Sequence, residues 1–265
     1  MHILIVNNTS IPVQKYGGTE RVIWWLGKQL VNMGHKVSYL VAAGSSCDFA
    51  NVYTLNPSIP FNKQIPENVD VVHLNCEVNE TPKIPYILTV HGNSNERKSL
   101  DINTVFVSAN HAARFGSTSF VHNGIDPDDY GDPGLNNQRN YFHFLGDAAW
   151  RVKNVRGAIK IAQSAKIPLR VIGGVRFNFN QGIRLTFDPR IQFDGMQGGA
   201  AKNEIIKHSK GLIFPVLWHE PFGISIVESL YFGCPVFGTP YGSLPEIVNA
   251  DLGFLSNSIA ELIDA

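Results

Sequence analysis

The feature that most limits what this chain can become is a rhythm that breaks once and restarts. Short β-rich apolar runs alternate with helical patterns from one end to the other. Such alternation is built by parallel sheets whose neighbouring strands are joined through crossover helices. In the first half, strands are predicted at 2–7, 36–42, 69–74, 85–90, 104–108 and 119–122. A helix is predicted over 19–33 with Gly34 as its stop, and a short one through Arg114 with Asn110 as its cap. Residues 124–139 are dense in Gly, Pro, Asn and Asp and read as a linker. The rhythm then resumes with strands at 141–145, 169–172, 191–193, 211–215 and 235–238, and helices at 155–165, 202–209 and 222–232. The expected architecture is α/β, with two Rossmann-like parallel-sheet domains at 1–130 and 140–265 facing each other across a ligand cleft.

Composition narrows the function classes. With 22 Lys plus Arg against 22 Asp plus Glu, no net field favours nucleic acid, so an anionic ligand needs a local site. The first residues lack a basic region and a long apolar core, and no stretch of eighteen apolar residues exists, so the chain reads as cytoplasmic without a transmembrane segment. Peripheral contact with the inner face of a membrane is left open. Cys47, Cys76 and Cys234 lack metal-ligand spacing and read as reduced thiols.

The densest chemistry lies between His219 and Gly233. A strand ends at Pro215, and Pro221 stands where the first turn of a helix is expected. The amides of Phe222, Gly223 and Ile224 would then face a phosphate at a helix N-terminus, with Gly223 permitting close approach. Glu220 and Glu228 are eight residues apart, a rise of roughly 12 Å if all of them are helical. That is longer than the roughly 5–9.5 Å between paired glycosidase carboxylates, and suits an extended ligand better. Glu228 falls among apolar neighbours, where an unpaired charge is expensive.

This stretch resembles the Glu-x7-Glu signature of the family 4 (group 1) retaining glycosyltransferases of the GT-B fold, which use nucleotide-sugar donors. Further segments resemble the family in the same order: 16–22, with its paired glycines; 85–92, a strand ending in His-Gly; 121–126; and 240–248. The resemblance implies that Gly17 and Gly18 close on the donor phosphates and acceptor, and that His91 lies beside the transferred sugar. It implies that Glu220 orients that sugar and Glu228 holds the ribose, while Gly195 and Met196, with Gly173 and Gly174, line the base pocket. Arg151 and Lys153 are cations suited to a diphosphate leaving group. The implied co-substrate is a UDP- or GDP-sugar, with no other cofactor, and the acceptor is a carbohydrate or lipid-linked hydroxyl. Asp126-Pro-Asp-Asp resembles a metal-binding Asp-x-Asp but falls in the linker, so no metal is expected.

The chain departs from the family at Asp147, where a basic residue is usual; an acidic group there repels a diphosphate unless Arg151 or Lys153 pairs with it. It also stops soon after residue 258, short for the terminal helix by which family members return to the first domain. These departures motivate an alternative, a nucleotide-sugar-binding protein weak or inactive in transfer. A GT-B nucleotide-sugar epimerase is the nearest enzymatic one.

Overall fold

The computed structural model describes residues 1–13, 15, 17–93, 99–179 and 183–265; Tyr16, the first residue of the 16–22 segment, lies outside them. The chain divides into two compact units, Met1–Ile125 and Asp126–Ala265.

Unit 1 is built on six parallel strands, β1 (His2–Val6), β2 (Lys36–Val41), β3 (Asn51–Thr54), β4 (Val71–Leu74), β5 (Tyr86–Val90) and β6 (Thr104–Phe106), in the order β3-β2-β1-β4-β5-β6. Helix α1 (Gly18–Asn32) joins β1 to β2, and α2 (Ala109–Arg114) follows β6. β1 is buried at every position, as a central parallel strand must be when both sheet faces are covered. Ile3 and Ile5 join Ile23, Val37 and Tyr39 in one core cluster, whereas Leu4 and Val6 join Leu40, Phe61 and Val72 in another. Gly27 in α1 allows the helix to seat there, because a Cβ would lie 1.9 Å from the Tyr39 hydroxyl.

Unit 2 repeats the plan. Its parallel sheet runs β11-β8-β7-β12-β13-β14, with β7 (Tyr141–Leu145), β8 (Leu169–Ile172), β11 (Ile191–Gly195), β12 (Ser209–Phe214), β13 (Val236–Gly238) and β14 (Gly253–Leu255). A separate antiparallel pair, β9 (Phe177–Asn178) with β10 (Arg184–Leu185), lies between β8 and β11 in the chain. Helices α3 (Val155–Ser164), α4 (Gly199–Lys207), α5 (Ile224–Tyr231), α6 (Leu244–Ile247) and α7 (Ile259–Asp264) complete it. α3 buries Val155, Ala158, Ile159 and Ile161 against Phe144, Val171, Ile191 and Ile213 of the sheet.

In both units the order reverses beside the first strand, between β1 and β4 and between β7 and β12. In open parallel sheets ligands bind outside the carboxyl ends of strands at such a switch point.

Several expectations are corrected. Ser108, not Asn110, caps α2, its hydroxyl accepting from the His111 amide at 3.1 Å. The strand expected at 119–122 is a single bridge between Phe120 and Phe106. The helix expected at 202–209 begins earlier, after Gly198, and ends at Lys207, because Ser209 already belongs to β12. The helix expected at 222–232 begins at Ile224.

Candidate functional site in unit 2

Three loops leave the carboxyl ends of β7, β12 and β13, and hydrogen bonds fasten them to one another. After β7, the chain turns at Gly146, whose φ is +156°, and passes through a 3-10 turn at Arg151–Lys153. Asn154 takes a left-handed conformation and caps α3 by accepting from the Gly157 amide at 3.0 Å. Its Nδ2 donates to the Pro215 carbonyl at 2.7 Å, and the Leu217 amide donates to the Val152 carbonyl at 2.8 Å. The loop after β12 is thereby tied to the loop after β7. From the loop after β13, the Ser243 amide donates to the Glu220 carbonyl at 2.9 Å, and the Ser243 hydroxyl donates to the Phe222 carbonyl at 2.6 Å. Glu220 also forms a parallel bridge with Gly242. Only glycine fits there: φ is +69°, and a Cβ would lie 2.2 Å from the Glu220 carbonyl oxygen.

On this frame sits a buried ion pair. Lys153 Nζ donates to Glu220 Oε2 at 2.6 Å, with side-chain exposures of 10% and 7%. The Trp218 indole donates to the same oxygen at 2.8 Å. The ammonium lies 5.1 Å from the Trp218 ring centre and 5.5 Å from those of Trp150 and Phe214, within cation–π range. Two residues chosen separately from sequence are therefore each other's partners, at the switch point.

Glu228, on α5, is 1% exposed, and its Oε1 accepts from Lys202 Nζ and, at 2.8 Å, from the Tyr130 hydroxyl. Lys202 lies 4.8 Å from the Tyr130 ring centre. Burial of Glu228 thus does not itself call for a ligand: its charge is compensated inside the protein. The approximately 12 Å rise also fails, since Glu220 precedes the helix and only Ile224 to Glu228 of that stretch is helical. Gly223, with φ +82°, is the N-cap, so the first-turn amides without an intrahelical partner belong to Ile224 and Ser225, while those of Phe222 and Gly223 lie in the loop before it.

Asp147 is used locally, its Oδ1 accepting from the Ala149 amide at 2.9 Å. Of the two cations considered for pairing with Asp147, Lys153 is bound to Glu220 instead. Gly173 packs against the β7 loop, where a Cβ would lie 2.1 Å from the Gly146 carbonyl oxygen. Gly195 ends β11 at φ +71° with open space where its Cβ would be, and Met196 follows it half-buried.

In unit 1, Gly17 caps α1 and Gly18 is its first residue; a Cβ on Gly17 would lie 2.8 Å from Val13 Cγ2. His91 follows β5, and its Nε2 is 2.8 Å from Asn75 Oδ1. Asn75 Nδ2 donates to the Val6 and His73 carbonyls at 3.4 and 3.3 Å. Its oxygen must therefore accept, which assigns the proton of His91 to Nε2 and leaves Nδ1 as the acceptor. Burial, with smaller contributions from His73 and His111, lowers the His91 pKa to about 4. At neutral pH the ring is uncharged.

Among the described residues no three His, Cys, Asp or Glu side chains could together hold a metal ion. No described helix is long and apolar enough to cross a membrane.

The family model "Glycosyl transferases group 1" matches residues 127–262, just over half of the chain. The chain belongs to the group 1 glycosyltransferases. A search of curated proteins by sequence gave no match. Solved structures share the whole fold of this glycosyltransferase at low identity. AviGT4, a glycosyltransferase involved in avilamycin A biosynthesis, is 19% identical with a TM-score of 0.75, over 99% of this chain and 87% of its own. Sucrose-phosphate synthase from Thermosynechococcus elongatus is 15% identical with a TM-score of 0.72, over 100% and 88%. Anabaena HepE, solved with UDP and glucose, is 16% identical with a TM-score of 0.66, over 99% and 88%. The fold is GT-B.

The residues missed from sequence are Tyr130, Lys202, Trp218, Asn75 and Gly242. A hydrophobic pattern offers no signal for most of them. Trp218 was the exception, standing two residues before Glu220 in the stretch already singled out.

Proposed function

We propose that the chain is a retaining, metal-independent glycosyltransferase that takes a sugar from a nucleoside-diphosphate sugar, UDP- or GDP-linked, and passes it to a hydroxyl acceptor. The observation that carries this reading is the buried Lys153–Glu220 pair at the switch point of unit 2, ahead of the α5 N-terminus. Lys153 and Arg151 would stabilise the departing diphosphate, helped by the first-turn amides of α5. Glu220 would accept hydrogen bonds from sugar hydroxyls, and Glu228, held by Lys202 and Tyr130, would take the ribose. Gly195 and Met196 would border the base. In unit 1, read as the acceptor-side domain, neutral His91 would accept from a sugar hydroxyl through Nδ1, beside the Gly17–Gly18 turn. The bond from the anomeric carbon to the diphosphate breaks as that carbon bonds to the acceptor oxygen on the same face. The acceptor proton passes to the leaving phosphate oxygen. The HepE neighbour, whose solved complexes contain UDP and UDP-glucose, supports the choice of donor class. The acceptor class favoured is a carbohydrate or lipid-linked hydroxyl.

Thermal shift and hydrolysis measured over a panel of UDP-, GDP- and ADP-sugars test the reading. One donor is expected to raise the melting temperature, with turnover unchanged by a chelator. Glu228→Ala should weaken nucleotide binding, whereas Glu220→Ala should chiefly lower turnover. If no nucleoside diphosphate binds, the reading fails.

A further inference from the structure

The β9–β10 pair takes no part in this chemistry, and its polarity is inverted. β8 and β11 are parallel neighbours, a connection usually made by a helix, yet residues 173–190 carry an antiparallel strand pair instead. Its register sets Phe177 opposite Leu185 and Asn178 opposite Arg184, so alternate residues on the two segments share a face. One alternate set is Val175, Phe177, Phe179, Ile183, Leu185 and Phe187; the other is Arg176, Asn178, Arg184 and Thr186. A half-buried pair ordinarily turns its apolar set inward. Here Arg184 and Thr186 are buried at 6% and 5%, while the six apolar side chains are 48–76% exposed.

The inversion is held in place by arginines. The Arg184 guanidinium lies 4.7 Å from the Phe193 ring centre and donates to the Val175 carbonyl at 2.7 Å. Arg176 donates to the Thr186 and Asp188 carbonyls at 3.0 and 3.2 Å, and Arg156 of α3 donates to the Ile183 carbonyl. Backbone oxygens of the pair are thereby satisfied without water. At its foot opens a cavity of about 360 Å³ to which Arg151, Arg156 and Arg184 contribute, with no carboxylate among its described lining residues. Burial, and then the neighbouring Arg156, lower the pKa of Arg184.

We propose that the apolar face of this hairpin docks at the headgroup–acyl boundary of an anionic phospholipid bilayer, with a lipid phosphate entering the arginine-lined cavity beside it. Membrane-surface elements combine apolar area with basic groups in this way. Among the described residues the exposed face presents only Val, Ile, Leu and Phe, without a side-chain hydrogen-bonding group; protein hot spots favour Trp, Tyr and Arg. The chain balances 22 basic against 22 acidic residues, so attraction to anionic lipid must come from local grouping, which this cavity supplies. Arg151 lines this cavity and is also given to the departing diphosphate, so it is the exposed apolar face and Arg156, not the whole cavity, that stand apart from the proposed donor site.

Co-sedimentation of the full chain with vesicles tests the proposal, using phosphatidylcholine alone and phosphatidylcholine with about one-third phosphatidylglycerol. The chain should pellet with the mixed vesicles, weakly with phosphatidylcholine, and less as salt rises. Phe179→Asp with Phe187→Asp should lower partitioning at least tenfold. Arg156→Glu should lower binding to mixed vesicles tenfold or more while sparing the weak phosphatidylcholine binding. The Asp double variant should keep the wild-type melting temperature and nucleotide response, which separates this surface from the donor reading; Arg156→Glu, which also loses the bond to the Ile183 carbonyl, is compared below its own melting temperature and should keep the nucleotide response. Absence of wild-type binding to mixed vesicles would overturn the proposal. So would wild-type binding by the Asp double variant, or a dimer that this variant dissociates while no vesicles are bound.

Discussion

Lys153→Met is the perturbation that interrogates the unit 2 site most directly. It leaves a hydrophobic side chain of similar length beneath Trp150 and Trp218 but strips the cation from a carboxylate that is 7% exposed. Breaking a buried ion pair on one side costs about 3–5 kcal/mol, because the remaining charge stays desolvated. Against a typical stability of about 5–15 kcal/mol, that is a large fraction. Lys153→Met combined with Glu220→Gln removes both charges and retains an oxygen for the Trp218 indole, which now donates at 2.8 Å. The double variant should recover most of the loss, giving a coupling energy of roughly 2 kcal/mol or more. Sugar transfer should not recover, since both groups are gone. Urea unfolding read by tryptophan emission gives the stabilities, and release of nucleoside diphosphate gives the activity. A single variant that unfolds at the wild-type midpoint would refute the reasoning. A double variant no more stable than Lys153→Met would do the same.

Gly242→Ala should place a Cβ 2.2 Å from the Glu220 carbonyl oxygen at a left-handed φ of +69°. It is expected to cost about 1–3 kcal/mol and to lower transfer at least tenfold, checked by urea unfolding beside initial rates. Burial pushes the His143 pKa down to about 3, with Ser209 and Ser229 hydroxyls 2.6 and 2.9 Å from its ring nitrogens. The unfolded chain, with an ordinary value of about 6.5, then binds the proton first. The contribution is complete above about pH 6.5 and declines as pH falls toward 3. His143→Gln should flatten the fall in urea midpoint between pH 7 and 4; an unchanged slope would count against it.

The sheets were readable because their central strands are largely buried and carry mostly apolar runs, such as Ile3–Val6 in β1 and Leu212–Phe214 in β12, with His143 as the polar interruption in β7. The elements that escaped lack that signal. β3 has the burial of an edge strand, with Asn51, Tyr53 and Thr54 exposed, so no apolar run marks it. The β9–β10 pair does alternate, but between strands where a crossover helix is the default, and with its apolar face outward. The α5 boundary was misplaced because Pro221 is a good first-turn residue in isolation, whereas Gly223 at a left-handed φ sets the start two residues later. Lys202 and Tyr130 were invisible as partners of Glu228 because they lie 26 and 98 residues upstream, at separations no local period encodes.

The two carboxylates are held in different ways, and the difference bears on the proposed reaction. Glu228 is enclosed, its charge met by a buried lysine and a tyrosine hydroxyl, so its position is fixed before any ligand arrives. Glu220 is fixed through its backbone by Gly242 and Ser243, while its charge is met by Lys153, which rises from the neighbouring loop. A lysine already desolvated among three aromatic rings needs little further dehydration when a diphosphate approaches, so its field acts at full strength on the developing charge. In the proposed reaction, as the leaving group drew on Lys153, Glu220 would lose part of its internal partner and become the better acceptor for sugar hydroxyls. Under that proposal the ion pair is no rival to catalysis: it would store the cation and the carboxylate next to each other, dry and oriented, for a donor that engages both.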